Sequence, residues 1–172
     1  MRNTELADLA HEIRAFIHIS TKLISRDMDE RLAQHWPGMS GPQYGVLRIV
    51  ACQPTTIKEL SDRMLLAPST LVPIIDRLEG EGLLVRGKDP DDRRRTPLEL
   101  TDKARQHLEQ VPAFDGHDAL SQALQHMSTD DSHKLSQLLQ QLVTELAHDP
   151  AIIQHVQSFS PRAIKNRAAL PR

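Results

Sequence analysis

Apolar residues recur at helical spacing on both sides of one interruption in the middle of the chain. Ile57, Leu60, Met64 and Leu65 precede it, and Leu71, Ile74, Ile75 and Leu78 follow it. The break itself is Ala67-Pro68-Ser69-Thr70, and Gly80 and Gly82 close the second run. Three- and four-residue spacing keeps apolar side chains on one helical face, so the pattern predicts two short helices with a tight turn between them. The period then changes. Leu83-Leu84-Val85 reads as a short strand, Asp89-Pro90-Asp91-Asp92 as a turn, and Leu98-Glu99-Leu100 as a strand of period two. A helix-turn-helix followed by a hairpin is a winged helix, and residues 39–100 are assigned to it.

The flanks are helical. From residue 4 to about 34, Leu6, Leu9, Ile13, Phe16, Ile17, Ile24, Met28 and Leu32 form one stripe that neither Pro nor Gly interrupts. Trp36-Pro37-Gly38 ends it. Roughly thirty residues would span about 45 Å, more than a small domain needs for its own core, so this helix is expected to pack against a second subunit. Ser40 and Gln43 resemble a helix start, with Tyr44, Leu47, Val50 and Ala51 facing inward behind them, and Thr56 with Glu59 forms a second capping box. After Thr101, a further cap, Ala104, Leu108 and Val111 make a short apolar face. Ser128 and the acids that follow start a last helix, where Leu135, Leu138, Leu139, Leu142, Val143 and Leu146 form a leucine stripe. That stripe should bury against the first helix, of its own or of a partner chain. The expected architecture is therefore mainly α with a small β-hairpin wing. Residues 1–38 with 101–150 form a helical dimerisation region, and residues 151–172 an extension, partly disordered. Arg162, Lys165, Arg167 and Arg172 in that extension have no acid among them from Ser160 on. A solvated tail or an extra phosphate contact would both use them.

Composition sharpens this picture only in places. At 172 residues the chain suits one domain with helical extensions, and its single cysteine, Cys52, allows no internal disulfide. Cys52 reads as a small buried hydrophobe. The first residues hold no basic stretch leading into an apolar core, and no apolar run is long enough for a bilayer, so a cytoplasmic address is expected. A net charge of -2 and a pI near 6.5 exclude a uniformly basic coat. Placement matters more: Arg93, Arg94 and Arg95 stand together between the two strands, whereas Glu79 and Glu81 fall at the far end of the second helix.

Enzymatic chemistry is not written here. Nine histidines occur without HExxH, paired CxxC or a compact His-carboxylate cluster, and there is no Gly-rich phosphate loop or nucleophile elbow. Neither a catalytic residue nor a metal ligand nor a cofactor is assigned. His11 with His18, and His148 with His155, leave open a metal site assembled across subunits, hence a metal-responsive variant of the same fold.

The run LLVRGKDPDDRRRTPLELT, residues 83–101 behind a Gly-ended helix, resembles the wing of the MarR family of bacterial transcriptional regulators. The resemblance covers roughly residues 40–101 by motif. It implies a homodimeric, sequence-specific binder of double-stranded DNA that acts on a pseudo-palindromic operator, a repressor released by a small-molecule effector. The helix from about residue 68 to 79 becomes the reading helix, with Ser69 and Thr70 at its N-terminus as readers of base edges or phosphates. As helix caps, the same two hydroxyls would have no such role. The family keeps an aspartate and an arginine two residues apart in the wing, matching Asp92 and Arg94. Asp92 would then steady the hairpin, Arg94 would enter a narrow minor groove, and Arg93 and Arg95 would touch phosphates. In the reading helix the family's usual threonine and arginine are replaced by Val72 and Pro73. Pro73 should kink that helix or shift its start. A helical protein-protein adaptor that does not bind DNA is the reading from a different class.

Overall fold

The computed structural model describes residues 3–88, 96–111 and 116–147. In chain order these form α1 (Asn3–His35), α2 (Gly41–Cys52), α3 (Ile57–Met64), α4 (Pro68–Gly80), β1 (Leu84–Arg86), β2 (Leu98–Leu100), α5 (Asp102–Gln110), α6 (Ala119–Gln125) and α7 (Thr129–Ala147). The expected class is borne out: a helical chain with one small antiparallel hairpin between long helical flanks.

Side-chain caps set the helix starts. The Ser40 amide donates to Gln43 Oε1 at 2.9 Å ahead of α2. At α3 the exchange is reciprocal, Thr56 N to Glu59 Oε2 at 2.8 Å and Glu59 N to Thr56 Oγ1 at 3.3 Å. Thr101 Oγ1 accepts from Ala104 N at 3.2 Å, and Ser128 Oγ from Asp131 N at 3.1 Å. Each bond satisfies an amide that the helix start leaves without a partner.

The core sits in the middle of the chain. Val46 and Leu47 of α2, Leu60 of α3, Leu71, Ile75 and Leu78 of α4, and Leu84 and Leu98 of the hairpin are all sealed from solvent. Leu32 of α1 and Ala104, Leu108 and Val111 at α5 belong to the same cluster. The hairpin pairs Leu84 with Leu100, Val85 with Glu99 and Arg86 with Leu98. Thr55 adds a further bridge to Leu98, which anchors the wing beside the N-terminus of α3.

Several sequence expectations need correction. Ala51 is exposed, while Val46 and Ile49 are buried. The central helix α2 touches α1, α4, α5 and β2, so it buries more of its circumference than a single stripe suggests, and Ala51 lies at the margin of that arc. Cys52 is half-buried, with Sγ 3.4 Å from the Arg48 carbonyl. Leu65 does not continue α3; it adopts φ 51, ψ 37 and stands 70% exposed. β1 begins one residue late, because the Leu83 amide is spent on the Leu78 carbonyl at the end of α4. Pro73 does not shift the start of α4, which runs from Pro68 through it.

The flanks are open. Leu6, Leu9, Phe16 and Leu23 of α1 are exposed, and so are Leu135, Leu138, Leu139 and Leu146 of α7. Among the described residues, then, the leucine stripe does not build a core. The short α6 leans on α1, where the Ala119 amide donates to Asp27 Oδ2 at 3.2 Å.

Candidate nucleic-acid interface

The turn between α3 and α4 is built from two backbone decisions. Leu65 turns left-handed after α3, and its neighbour Leu66 is held at both ends, its amide on the Ser61 carbonyl at 3.2 Å and its carbonyl on Ser61 Oγ at 2.6 Å. Ala67 is extended, and Pro68 then supplies a ready helical φ at the first position of α4. Here the cap has no side-chain bond. Ser69 and Thr70 are therefore not consumed as caps, and both are exposed at the first turn.

The opposite face of α4 holds the helix in place. Leu71, Ile75 and Leu78 are buried at spacings of four and three, which leaves Ser69, Pro73 and Asp76 on the outward line. Pro73 also has no amide for the Ser69 carbonyl, so that carbonyl at the exposed first turn lacks its helical partner.

The end of α4 is fixed by Gly82 at φ +68, a left-handed position where an L side chain is strained. Lys103 Nζ donates to the Glu81 carbonyl at 2.9 Å, a cation at the negative end of the helix. Acids here are matched by bases. Arg77 meets Glu81 at 2.8 Å, and Arg86, in β1, meets both Asp76 at 2.6 Å and Glu79 at 3.0 Å. The hydrogen bond to Glu79 and the charges of both acids hold the Arg86 guanidinium above its ordinary value.

β1 runs beside this helix, and just beyond the paired residues the Gly87 amide donates to the Pro97 carbonyl at 2.7 Å. Asp92, Arg93, Arg94 and Arg95 lie outside the described residues. Of the residues singled out from sequence, the structure places Ser69 and Thr70 together at an open helix start. The sequence reading missed Arg86. Its signal was a lone arginine ending an apolar strand, ten residues after an aspartate on the outer face of a helix.

Among the described residues, no three His, Cys, Asp or Glu side chains stand close enough to hold a metal ion, and no helix is long and apolar enough to cross a membrane.

Residues 39–96 match the MarR family. The chain is 30% identical over 127 residues to YkoM of Bacillus subtilis, an uncharacterized HTH-type transcriptional regulator, across 73% of this chain and 77% of that protein. Its fold is similar to that of a mutant MarR from E. coli complexed with operator DNA, with a TM-score of 0.68 at 23% identity over 77% of this chain and 94% of the other. It is also similar to the transcriptional repressor CouR bound to a 23-mer DNA duplex, with a TM-score of 0.64 at 23% identity over 83% and 98% of the two chains.

Proposed function

The chain belongs to the MarR family, and from that premise we propose that it is a transcriptional regulator that binds double-stranded DNA by sequence. The observation that carries this reading is the open first turn of α4, where Ser69 and Thr70 project from a helix braced by Leu71, Ile75 and Leu78. A helix of this kind enters the major groove with its N-terminal side chains at base edges. The wing is proposed as the second contact. Arg94 enters the minor groove, Asp92 steadies it, and Arg93 and Arg95 bind phosphate.

The regulator acts in the cytoplasm as a homodimer on a pseudo-palindromic operator. The open apolar faces of α1 and α7 support this, because a helix of 33 residues runs about 50 Å and most of its apolar stripe is exposed among the described residues. The role is proposed to be that of a repressor released by a small-molecule effector. The DNA-bound relatives of the same fold support the DNA half of this reading.

A gel shift with the duplex upstream of the chain's own gene, titrated with salt and with random-sequence competitor, tests it. A specific complex that weakens as salt rises is expected. Equal affinity for own and random duplexes would overturn the sequence-specific reading.

A further inference from the structure

We infer that Arg86 is a positioning residue whose work is to mask two carboxylates on the reading helix, so that this helix can lie against a phosphate backbone. The inference rests on the DNA-binding reading above.

Ser69, Pro73 and Asp76 follow one another at four and three residues and are all exposed, so they share one outward line of α4. Asp76 thus stands roughly 10 Å along the axis from Ser69. That distance is close to one Debye length at physiological salt, about 8 Å, so an unmatched carboxylate there still acts on phosphates that the first turn meets. Glu79, one turn on and only partly covered, adds a second negative charge. Arg77 is engaged elsewhere, with Glu81. Left to itself, the outer half of this helix would repel DNA.

Arg86 meets both acids at once. Nη2 lies 2.6 Å from Asp76 Oδ1 and Nε lies 3.0 Å from Glu79 Oε2. A planar fork can divide its donors between two carboxylates one helical turn apart, which a single ammonium does poorly. Arg86 also sits in β1 opposite Leu98, so the same interaction ties the base of the wing to the reading helix. Fold stability does not account for the arrangement. The side chains of Arg86, Asp76 and Glu79 are 36%, 57% and 38% exposed, and ion pairs that open to water add little.

The test uses the full-length protein and fluorescence anisotropy on the upstream duplex at several salt concentrations. Arg86→Ala should lose about tenfold or more in affinity while its melting temperature stays near wild type. Adding Asp76→Asn and Glu79→Gln to Arg86→Ala should bring affinity back to within about threefold of wild type, because the charges that needed masking are gone. Asp76→Asn with Glu79→Gln alone, which keeps Arg86 and does not depend on the fold of the alanine variant, should bind as well as wild type or better. Undiminished binding by Arg86→Ala overturns the inference. So does a triple variant as weak as Arg86→Ala, since Arg86 would then act on DNA or on the wing directly. Weaker binding by Asp76→Asn with Glu79→Gln also overturns it, and would point to a carboxylate that accepts from a cytosine amino group. A wild-type protein that binds no duplex fails at the earlier step, and takes this inference with the DNA-binding reading.

Discussion

The Tyr44 phenol donates to the Val111 carbonyl at 2.7 Å, a bond that ties α2 to the end of α5 across 67 residues of sequence. Both partners are buried, at 4% and 1% exposure. Burial pushes the phenol above its ordinary 10.0, against the opposing pull of Arg48 and Arg31. A folded pKa raised above the unfolded one means that the folded chain holds this proton more tightly. The associated stability is complete below pH 10.0 and is lost as pH climbs from there through the folded value. Tyr44→Phe should cost about 1 to 3 kcal/mol at neutral pH, since it leaves the Val111 carbonyl unpaired. The variant should also lose less stability than wild type between neutral and strongly alkaline pH. Tyr44 is the single tyrosine, so its absorbance reports this titration directly.

Asp118 caps α6, accepting from Ser121 N at 3.0 Å and Ser121 Oγ at 2.6 Å. Partial burial pushes this carboxyl up, but the bonds from Ser121 outweigh it and hold the group below its ordinary 3.8. A lowered folded pKa gives stability that is present above 3.8 and fades as pH falls through the folded value. Asp118→Ala should therefore cost about 1 kcal/mol at neutral pH. The gap between variant and wild type should narrow in acid, as followed by chemical denaturation at several pH values.

Leu65 and Gly82 occupy the same kind of backbone position at the ends of the two reading-head helices, with φ 51 and φ 68. Leu65→Gly should be neutral or stabilising by up to about 1 kcal/mol, because the left-handed strain it relieves slightly exceeds the added freedom of the unfolded chain. Gly82→Ala should destabilise by about 1 kcal/mol although a methyl there would touch nothing within 4 Å. Urea midpoints compare the two. Opposite results would mean that side-chain packing, not backbone conformation, governs these turns.

Phe16, 65% exposed, and Leu138, 54% exposed, lie on the two flanking helices outside the core of the reading head. If the proposed dimer packs through these faces, replacing both by Glu should give a monomer with the same helix content in its reading head. Sedimentation velocity at nanomolar concentration measures this. A wild-type chain that sediments as a well-folded monomer there would refute the dimer.

The wing arginines should separate by mechanism. Arg94→Ala is expected to weaken binding most at operators with A·T-rich flanks, where a narrow minor groove rewards a guanidinium. Arg93→Ala and Arg95→Ala should weaken all duplexes alike and lower the salt slope by about one for each phosphate that is no longer neutralised. Asp92→Ala removes no positive charge, yet should impair binding because Arg94 is no longer steadied. Interchangeable arginines, with Asp92→Ala binding as well as wild type, would leave only a diffuse positive patch.

Local pattern determined most of the fold. Capping residues such as Thr56, Thr101 and Ser128 act within three residues of themselves, and the apolar spacing of Leu71, Ile75 and Leu78 follows from helix geometry, so both could be read in one dimension. The order of helix, turn, helix and hairpin was legible for the same reason. Tertiary structure decided whatever depends on residues far apart in sequence or on backbone sign. Ala51 against Ile49 was settled by how many neighbours α2 has, and Leu65 by a left-handed turn that no side-chain pattern announces. Ser69 and Thr70 were visible as candidates, but that they are exposed and unused as caps followed only from the extended backbone at Ala67 and the course of α4. The pairing of Arg86 with Asp76 and Glu79 was the least legible. In sequence these are ordinary charges seven and ten residues apart, and only the fold of β1 back along α4 brings one guanidinium within reach of both carboxylates.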